Sequence, residues 1–254
     1  MAELVTYKRT GHVVELRLNR PEKLNALSNE LFDALSDSLY RFDADNDAWI
    51  AILSGEGRAF CSGADVTSRI GSAAGRGVSR STKATVLLSD FENTKPVITA
   101  VHGYAYGAGF RFVLHSDLSV ADTTAKFQLT EVARGLDASQ LWAEMNSRGF
   151  GTFADDLALT GRPCGAEEAF ARGIINRLVP AGTHVEAARE LADQVLSNPP
   201  LAVRAVVRSR RSRLRILEAN TAAVRHERTL HLSNDFRESV AALKEKRKPV
   251  FTGT

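Results

Sequence analysis

Across residues 12–121, short apolar runs of β-forming residues alternate with amphipathic stretches, and few architectures accept that alternation. It is the pattern of strands and helices interleaved in an α/β layer. Residues 12–19 (HVVELRLN) predict a first strand. From Ser28, a suitable N-cap, Leu31, Phe32, Leu35, Leu39 and Phe42 recur at helical spacing. Residues 49–54 (WIAILS) return to a strand that ends in the turn signal Gly55-Glu56-Gly57. Residues 67–83 (TSRIGSAAGRGVSRSTK) have poor apolar periodicity and read as a mobile loop or a poorly ordered helix. Residues 96–101 then predict a buried strand, 103–109 a glycine-rich turn, 110–115 the start of a helix, and 117–121 with 126–129 a strand pair. From about Ser139 the pattern turns helical over 153–160, 166–172, 185–196 and from Leu201 onward, with one extended piece at 174–179.

A chain of 254 residues with 44% hydrophobic and 25% charged residues matches one large or two small globular domains. That length buries enough surface to hold a core without disulfides or metal. Cys61 and Cys164 form neither a disulfide framework nor a zinc set, and the six histidines show no ligand spacing near them. No metal site is expected, and a reducing cytoplasm is the simplest compartment. The N-terminus alternates polar and apolar residues, unlike a signal peptide, and no apolar run reaches the roughly 18 residues a membrane span needs. A net charge of +3 is too mild to imply nucleic acid. The charge is uneven, however. Arg204, Arg208, Arg210, Arg211, Arg213 and Arg215 cluster, and Lys244, Lys246, Arg247 and Lys248 follow near the end. Such a run reads as a solvated helix face, a subunit contact or a phosphate-binding stretch.

Two segments place small residues between a strand and a helix: residues 59–65 (AFCSGAD) and 102–109 (HGYAYGAG). Small residues let a ligand approach the backbone, and a following helix directs unpaired N–H groups at it. Each turn alone fits tight packing equally well. Neither carries a GxxxxGK[ST] or a strand-following GxGxxG with its acidic partner, so nucleotide cradling of those kinds is not supported. Two such turns in one chain point to a paired oxyanion hole.

These segments resemble the crotonase superfamily of enoyl-CoA hydratase/isomerases. The likeness runs through residues 19–27 (NRPEKLNAL), 59–66 (AFCSGADV), 95–109 (KPVITAVHGYAYGAG), 159–180 (LTGRPCGAEEAFARGIINRLVP) and 231–253 (HLSNDFRESVAALKEKRKPVFTG). It implies an α/β crotonase (ClpP/crotonase-like) fold of repeated ββα units over residues 1–195. Residues 196–254 would form a C-terminal helical region for trimerisation and active-site cover. The implied partner is an acyl-CoA thioester, bound by a homotrimer or a dimer of trimers, with no nucleic acid and no membrane. Coenzyme A belongs to the substrate, so no separate cofactor is implied. The family pattern assigns oxyanion donation to the backbone N–H groups of Ala64 and Ala108. It assigns the CoA site to Leu24, Ala26, Ser62, Gly63, Ala64, Asp65 and Val66, with the C-terminal basic residues available for CoA phosphates.

One departure bears directly on chemistry. Hydratases of the family use two glutamates, one just after the second turn and one about twenty residues later. Here Arg111 stands at the first position, while Glu131 in FQLTE matches the second. Addition of water needs one group to activate the water and one to deliver the α-proton. A guanidinium stays protonated and accepts no proton, although it can bind an anion or polarise an oxygen. Arg111 therefore weighs against simple hydration. Glu131 reads either as a structural carboxylate paired with an arginine or as sole acid/base, which suffices for double-bond isomerisation or for protonating a carbanion left by C–C cleavage. Arg111 is then available for a second carboxylate on the acyl group. Downstream, Gly135-Leu136-Asp137-Ala138-Ser139 departs from the family's glycine-rich stretch, and Asp137 reads as a helix cap. His102, His115, His226 and His231 read as structural, and Cys61 as an unreactive thiol within its turn. The expectation is an enzyme acting on acyl-CoA through a stabilised enolate, as in fatty acid metabolism. The alternatives are an acyl-CoA hydrolase or C–C lyase of the same fold, or a non-catalytic acyl-CoA-binding protein.

Overall fold

A computed structural model describes residues 3–65, 94–224 and 230–254. The loop expected at 67–83, Val66 and His226 lie outside the described residues. The chain forms two compact units, Met1–Phe127 with Cys164–Arg215, and Gln128–Pro163 with Ile216–Thr254.

The first unit is built on a six-stranded sheet. Strands β1 (Val5–Thr10) and β2 (Val13–Leu18) pair antiparallel, with Tyr7 opposite Leu16. Strands β3 (Ile50–Gly55), β4 (Val97–Val101), β6 (Leu118–Asp122) and β9 (Arg177–Val179) continue it in parallel, in the order β1-β2-β3-β4-β6-β9. β3 and β4 are buried throughout, as continuous apolar runs in a sheet covered on both faces should be. Ile50, Ile52, Ile98, Ala100 and Val120 pack on one face against Ala188, Leu191 and Ala192 of helix α6 (His184–Leu196).

Helix α1 (Asn29–Ala44) lies against β1 and β2. Ser28 caps it, its Oγ accepting from Leu31 N at 3.3 Å, and the five expected apolar positions are buried. Its C-terminal carbonyls are held by Lys95, whose Nζ donates to Phe42, Asp43 and Asp45 at 2.9, 2.9 and 2.6 Å. A cation there also suits the negative end of the helix dipole. A second, three-stranded sheet orders β5 (Tyr104–Tyr106), β7 (Lys126–Gln128) and β8 (Cys164–Gly165). Among the described residues, helices α2 (Ala108–His115), α5 (Ala166–Ala171) and α7 (Pro200–Val224) also belong wholly or in part to the first unit.

Three sequence expectations change. The alternating N-terminus is a strand of its own, β1, which turns into β2 through Gly11 at φ 57°. The glycine-rich stretch 103–109 contains β5, and α2 begins at Ala108 rather than Phe110. The segments expected to pair at 117–121 and 126–129 belong to different sheets, β6 beside β4 and β7 beside β5. Short strands between turns carry too little periodicity to reveal which sheet they join. The arginine cluster also divides. Arg208, Arg213 and Arg215 are exposed, whereas Arg211 is buried and both Arg210 and Arg211 bind Asp117, at 2.9 and 2.7 Å.

The second unit is helical: α3 (Ser139–Ser147), α4 (Thr152–Thr160) and α8 (Asn234–Glu245), with the last residues of α7. The N-cap of α3 is Ala138 rather than Asp137, which lies one residue earlier and accepts from Ser139 N through Oδ1 at 2.8 Å. The C-terminal tail folds back onto α8, where Asp235 accepts from Thr252 N and Gly253 N. Among the described residues no helix is long and apolar enough to cross a membrane.

A histidine pair in the first unit makes stability depend on pH. His184 Nδ1 lies 3.2 Å from Asp122 Oδ2, and its ring stacks on His102 at 4.5 Å between centroids. Burial pushes the His184 pKa down, as do His102 and Arg17, against the opposing pull of Asp122. A histidine with a depressed folded pKa binds more protons unfolded than folded. Its stability is therefore full above the ordinary histidine value of about 6.5 and is lost as pH falls through the folded pKa. Thermal melts should fall between about pH 7 and pH 5, and fall less steeply in His184→Gln. Equal slopes for the two proteins would remove His184 as the cause.

Candidate active site

The two turns singled out in the sequence meet in the first unit. Phe60 N donates to His102 O at 2.9 Å, Cys61 N to Tyr104 O at 2.9 Å, and Tyr106 N to Cys61 O at 3.0 Å. These bonds stitch the first turn to β5. The glycines bring the backbones close. A methyl group at Gly63, where φ is +97°, would lie 2.8 Å from Tyr106 O and 3.8 Å from Ala108 N. A methyl group at Gly109 would lie 2.3 Å from Cys61 O.

Among the described residues, that stitching leaves the backbone N–H groups of Ala64 and Ala108 without a backbone acceptor. Leu27 and Ala64 form a parallel bridge in which Leu27 N donates to Gly63 O at 2.8 Å and Asp65 N donates to Leu27 O at 3.0 Å. In this geometry the bridge uses the residues on either side of Ala64, so its own N–H points away from Leu27. Ala108 is the first residue of α2, after Gly107 at φ 49°, and so has no intrahelical acceptor. Among the described residues neither N–H donates to another backbone group. Both alanines are half-buried. Two unspent N–H groups on touching turns are the donor set that a developing oxyanion requires.

The segment from Arg20 to Leu27 runs beside the first turn. Leu24 and Asn25 both take left-handed backbone, at φ 51° and 54°. Ser62 N donates to Leu24 O at 3.0 Å, so Leu24, Ala26, Ser62, Gly63, Ala64 and Asp65 share one neighbourhood. Asn25, fully buried, holds the strip in place. Its Oδ1 accepts from Arg20 N at 2.8 Å and its Nδ2 donates to Glu56 O and Ala59 O at 2.9 and 2.8 Å. Asp65 is buried and its carboxylate binds Arg20 Nη1 at 2.7 Å, a bond that locks the loop. Sequence reading gave Asn25 and Arg20 no part in the site. Their signal was present in NRPEKLNAL, as an Asn in a turn that only Asn or Gly adopts readily.

Arg111 sits in the first turn of α2. Its N donates to Gly107 O at 3.0 Å and its Nε lies 3.3 Å from His115 Nε2 one turn later. Cys61 is buried and its thiol is pushed up to about 12 by burial, which removes it as a nucleophile.

Glu131 belongs to the second unit. It follows β7 by three residues and opens a short 3-10 turn (Val132–Arg134). Its carbonyl accepts from Arg134 N at 3.0 Å and Leu136 N at 2.8 Å. Gly135, at φ 68°, closes the turn against the backbone of Phe236, and Ser239 Oγ donates to Arg134 O at 3.0 Å. Helix α8 thus fixes the backbone that carries the carboxylate.

Residues 8–254 match the family model described as enoyl-CoA hydratase/isomerase. The chain is 34% identical to enoyl-CoA hydratase EchA19 of Mycobacterium tuberculosis, over 96% of its own length and 94% of the relative's. It is 32% identical to the carnitinyl-CoA dehydratase of Proteus mirabilis, over the full length of both. Among solved structures, a carnitinyl-CoA dehydratase from Mycobacterium avium superposes with a TM-score of 0.86 at 31% identity, over the full length of both chains. A match that spans nearly the whole chain, together with the paired turns, places this chain in the enoyl-CoA hydratase/isomerase family.

Proposed function

We propose that the chain holds the thioester carbonyl of an acyl-CoA between the N–H groups of Ala64 and Ala108 and moves protons on the acyl group with Glu131 alone. The observation that carries this reading is the pair of N–H groups, neither donating to a described backbone group, on two turns locked together. An α-proton of a thioester is weakly acidic, and removing it at neutral pH requires the enolate oxygen to be stabilised as it forms. Backbone donors fixed before the reaction do this without reorganisation. Glu131 then takes the proton from one carbon and returns it to another.

Arg111 occupies the place of the family's first glutamate and cannot activate water. The reading therefore favours relocation of a double bond over addition of water. Leu24, Ala26, Ser62, Gly63, Asp65 and Val66 line the CoA site in this account. No cofactor enters the chemistry. Residues 196–254 supply the contacts of a homotrimer or a dimer of trimers, and the protein works in the cytoplasm.

The reading is tested with saturated, 2-enoyl, 3-enoyl and dicarboxylic acyl-CoAs, with products read by mass spectrometry and ultraviolet absorbance. The expected result is interconversion of 2-enoyl and 3-enoyl chains without gain of water. Gain of water as the main product would contradict the single-carboxylate account. Free CoA or a shortened acyl group would assign a hydrolase or C–C lyase instead. Binding of every thioester without turnover would make the chain a non-catalytic acyl-CoA-binding protein.

A further inference from the structure

The N–H of Ala108 belongs to a closed loop of chain whose two ends are fastened at one carboxylate. Upstream of Ala108 the chain enters through β4 and β5, and downstream it leaves through α2. Val97, the first residue of β4, donates its N–H to Asp117 Oδ2 at 2.8 Å, and Asp117 N donates back to Val97 O at 2.9 Å. The segment 97–117 is thus closed at its base by a reciprocal pair, with Gly107 joining β5 to α2 and Ala108 opening the helix.

The same carboxylate binds two arginines of α7. Arg210 Nη1 reaches Asp117 Oδ1 at 2.9 Å and Arg211 Nη2 reaches Oδ2 at 2.7 Å. Arg210 also donates to the last carbonyls of α2, Leu114 O at 3.4 Å and His115 O at 3.3 Å. A third tie runs through Ser116, whose Oγ donates to Val113 O at 2.8 Å and lies 3.0 Å from Thr99 Oγ1 on β4. Arg211 is 3% exposed and the Asp117 side chain 8%, so water competes little for these bonds.

We infer that Asp117, Arg210 and Arg211 are positioning residues that set the place of the Ala108 N–H from the far end of α2. The inference rests on the oxyanion role proposed above. Helix α2 has eight residues and is about 12 Å long, a rod too short to bend. A shift at its C-terminal end therefore appears at its first residue. Oxyanion donors act only when placed to within a fraction of an ångström, and a displacement of about 1 Å costs roughly 100-fold in rate. The arginine cluster of α7 thereby has two members with a defined task, and that task is directed inward at the oxyanion helix.

The test is the 13C shift of the thioester carbonyl in butyryl-CoA labelled at that carbon, bound to the full chain. In the wild type the bound carbonyl should move downfield, as two donors polarise it. In Arg210→Ala and Asp117→Asn about half of that movement or more should be lost, well below each variant's melting temperature and with the butyryl-CoA Kd within about twofold. Arg210→Lys keeps a cation at the end of α2 and should recover part of the shift. Arg210 is partly exposed, so its variants stay folded even if Asp117→Asn does not. A full wild-type shift in Arg210→Ala would overturn the positioning role and leave the oxyanion reading intact. No shift in the wild type would overturn both.

Discussion

Glu131→Gln should lower turnover of any reactive acyl-CoA by about 1,000-fold, the middle of the range for removing a general acid/base. Binding of the same thioester should change by less than about twofold, because glutamine keeps the size and polarity of the side chain. The backbone at this position is fixed by Arg134, Leu136 and α8, so the substitution has no route to a larger rearrangement. The effect would fall on kcat and leave KM nearly unchanged, the signature of a group used only in the transition state. With Arg111 unable to accept a proton, nothing at the family's other carboxylate position can take over. Turnover retained to within about tenfold would show that another group carries the proton.

Gly109→Ala should be nearly as damaging by a different route. Its new Cβ would meet Cys61 O at 2.3 Å and Cys61 Cβ at 2.9 Å, both in a buried stretch with nowhere to yield. The relief available is for α2 to back away from the first turn, which separates the N–H groups of Ala64 and Ala108. A displacement of about 1 Å predicts roughly a 100-fold fall in kcat. Overpacking of this kind also costs about 2 kcal/mol of stability, readable in urea unfolding. Gly165→Ala is the control: its Cβ meets nothing nearer than Glu167 Oε2 at 3.8 Å, and it should unfold and turn over like the wild type. Equal behaviour of the two variants would mean that the close approach of the turns is not what sets activity.

How much of this was written in the sequence depends on the kind of residue. Helix α1 was legible because Ser28 and five apolar positions at helical spacing specify both its start and its buried face. β3 and β4 were legible because a strand buried on both faces is a continuous apolar run. β5 was not, since three residues between glycines carry no period, and its partner β7 is distant in sequence. The turns at Gly63 and Gly109 were legible as ligand-approach points from their small residues. That each glycine is required by the other turn's backbone depends on contacts more than forty residues apart, which no local pattern encodes. The same holds for the α7 arginines. A charge run on a helix looks alike whether it faces water or closes on Asp117, and only the long-range pairing separates Arg210 and Arg211 from the exposed Arg208, Arg213 and Arg215.

The central claim is that the chain makes a thioester enolate and that Glu131 alone exchanges its proton. The most direct measurement is the entry of solvent deuterium into the carbon skeleton of an enoyl-CoA or saturated acyl-CoA, followed by mass spectrometry in the wild type and in Glu131→Gln. The account predicts deuterium at carbon without gain of water in the wild type, and loss of that exchange in the variant while the thioester still binds. Wild-type protein that binds the thioester and leaves its carbon-bound hydrogens untouched, or a Glu131→Gln variant that exchanges them at the wild-type rate, would contradict it.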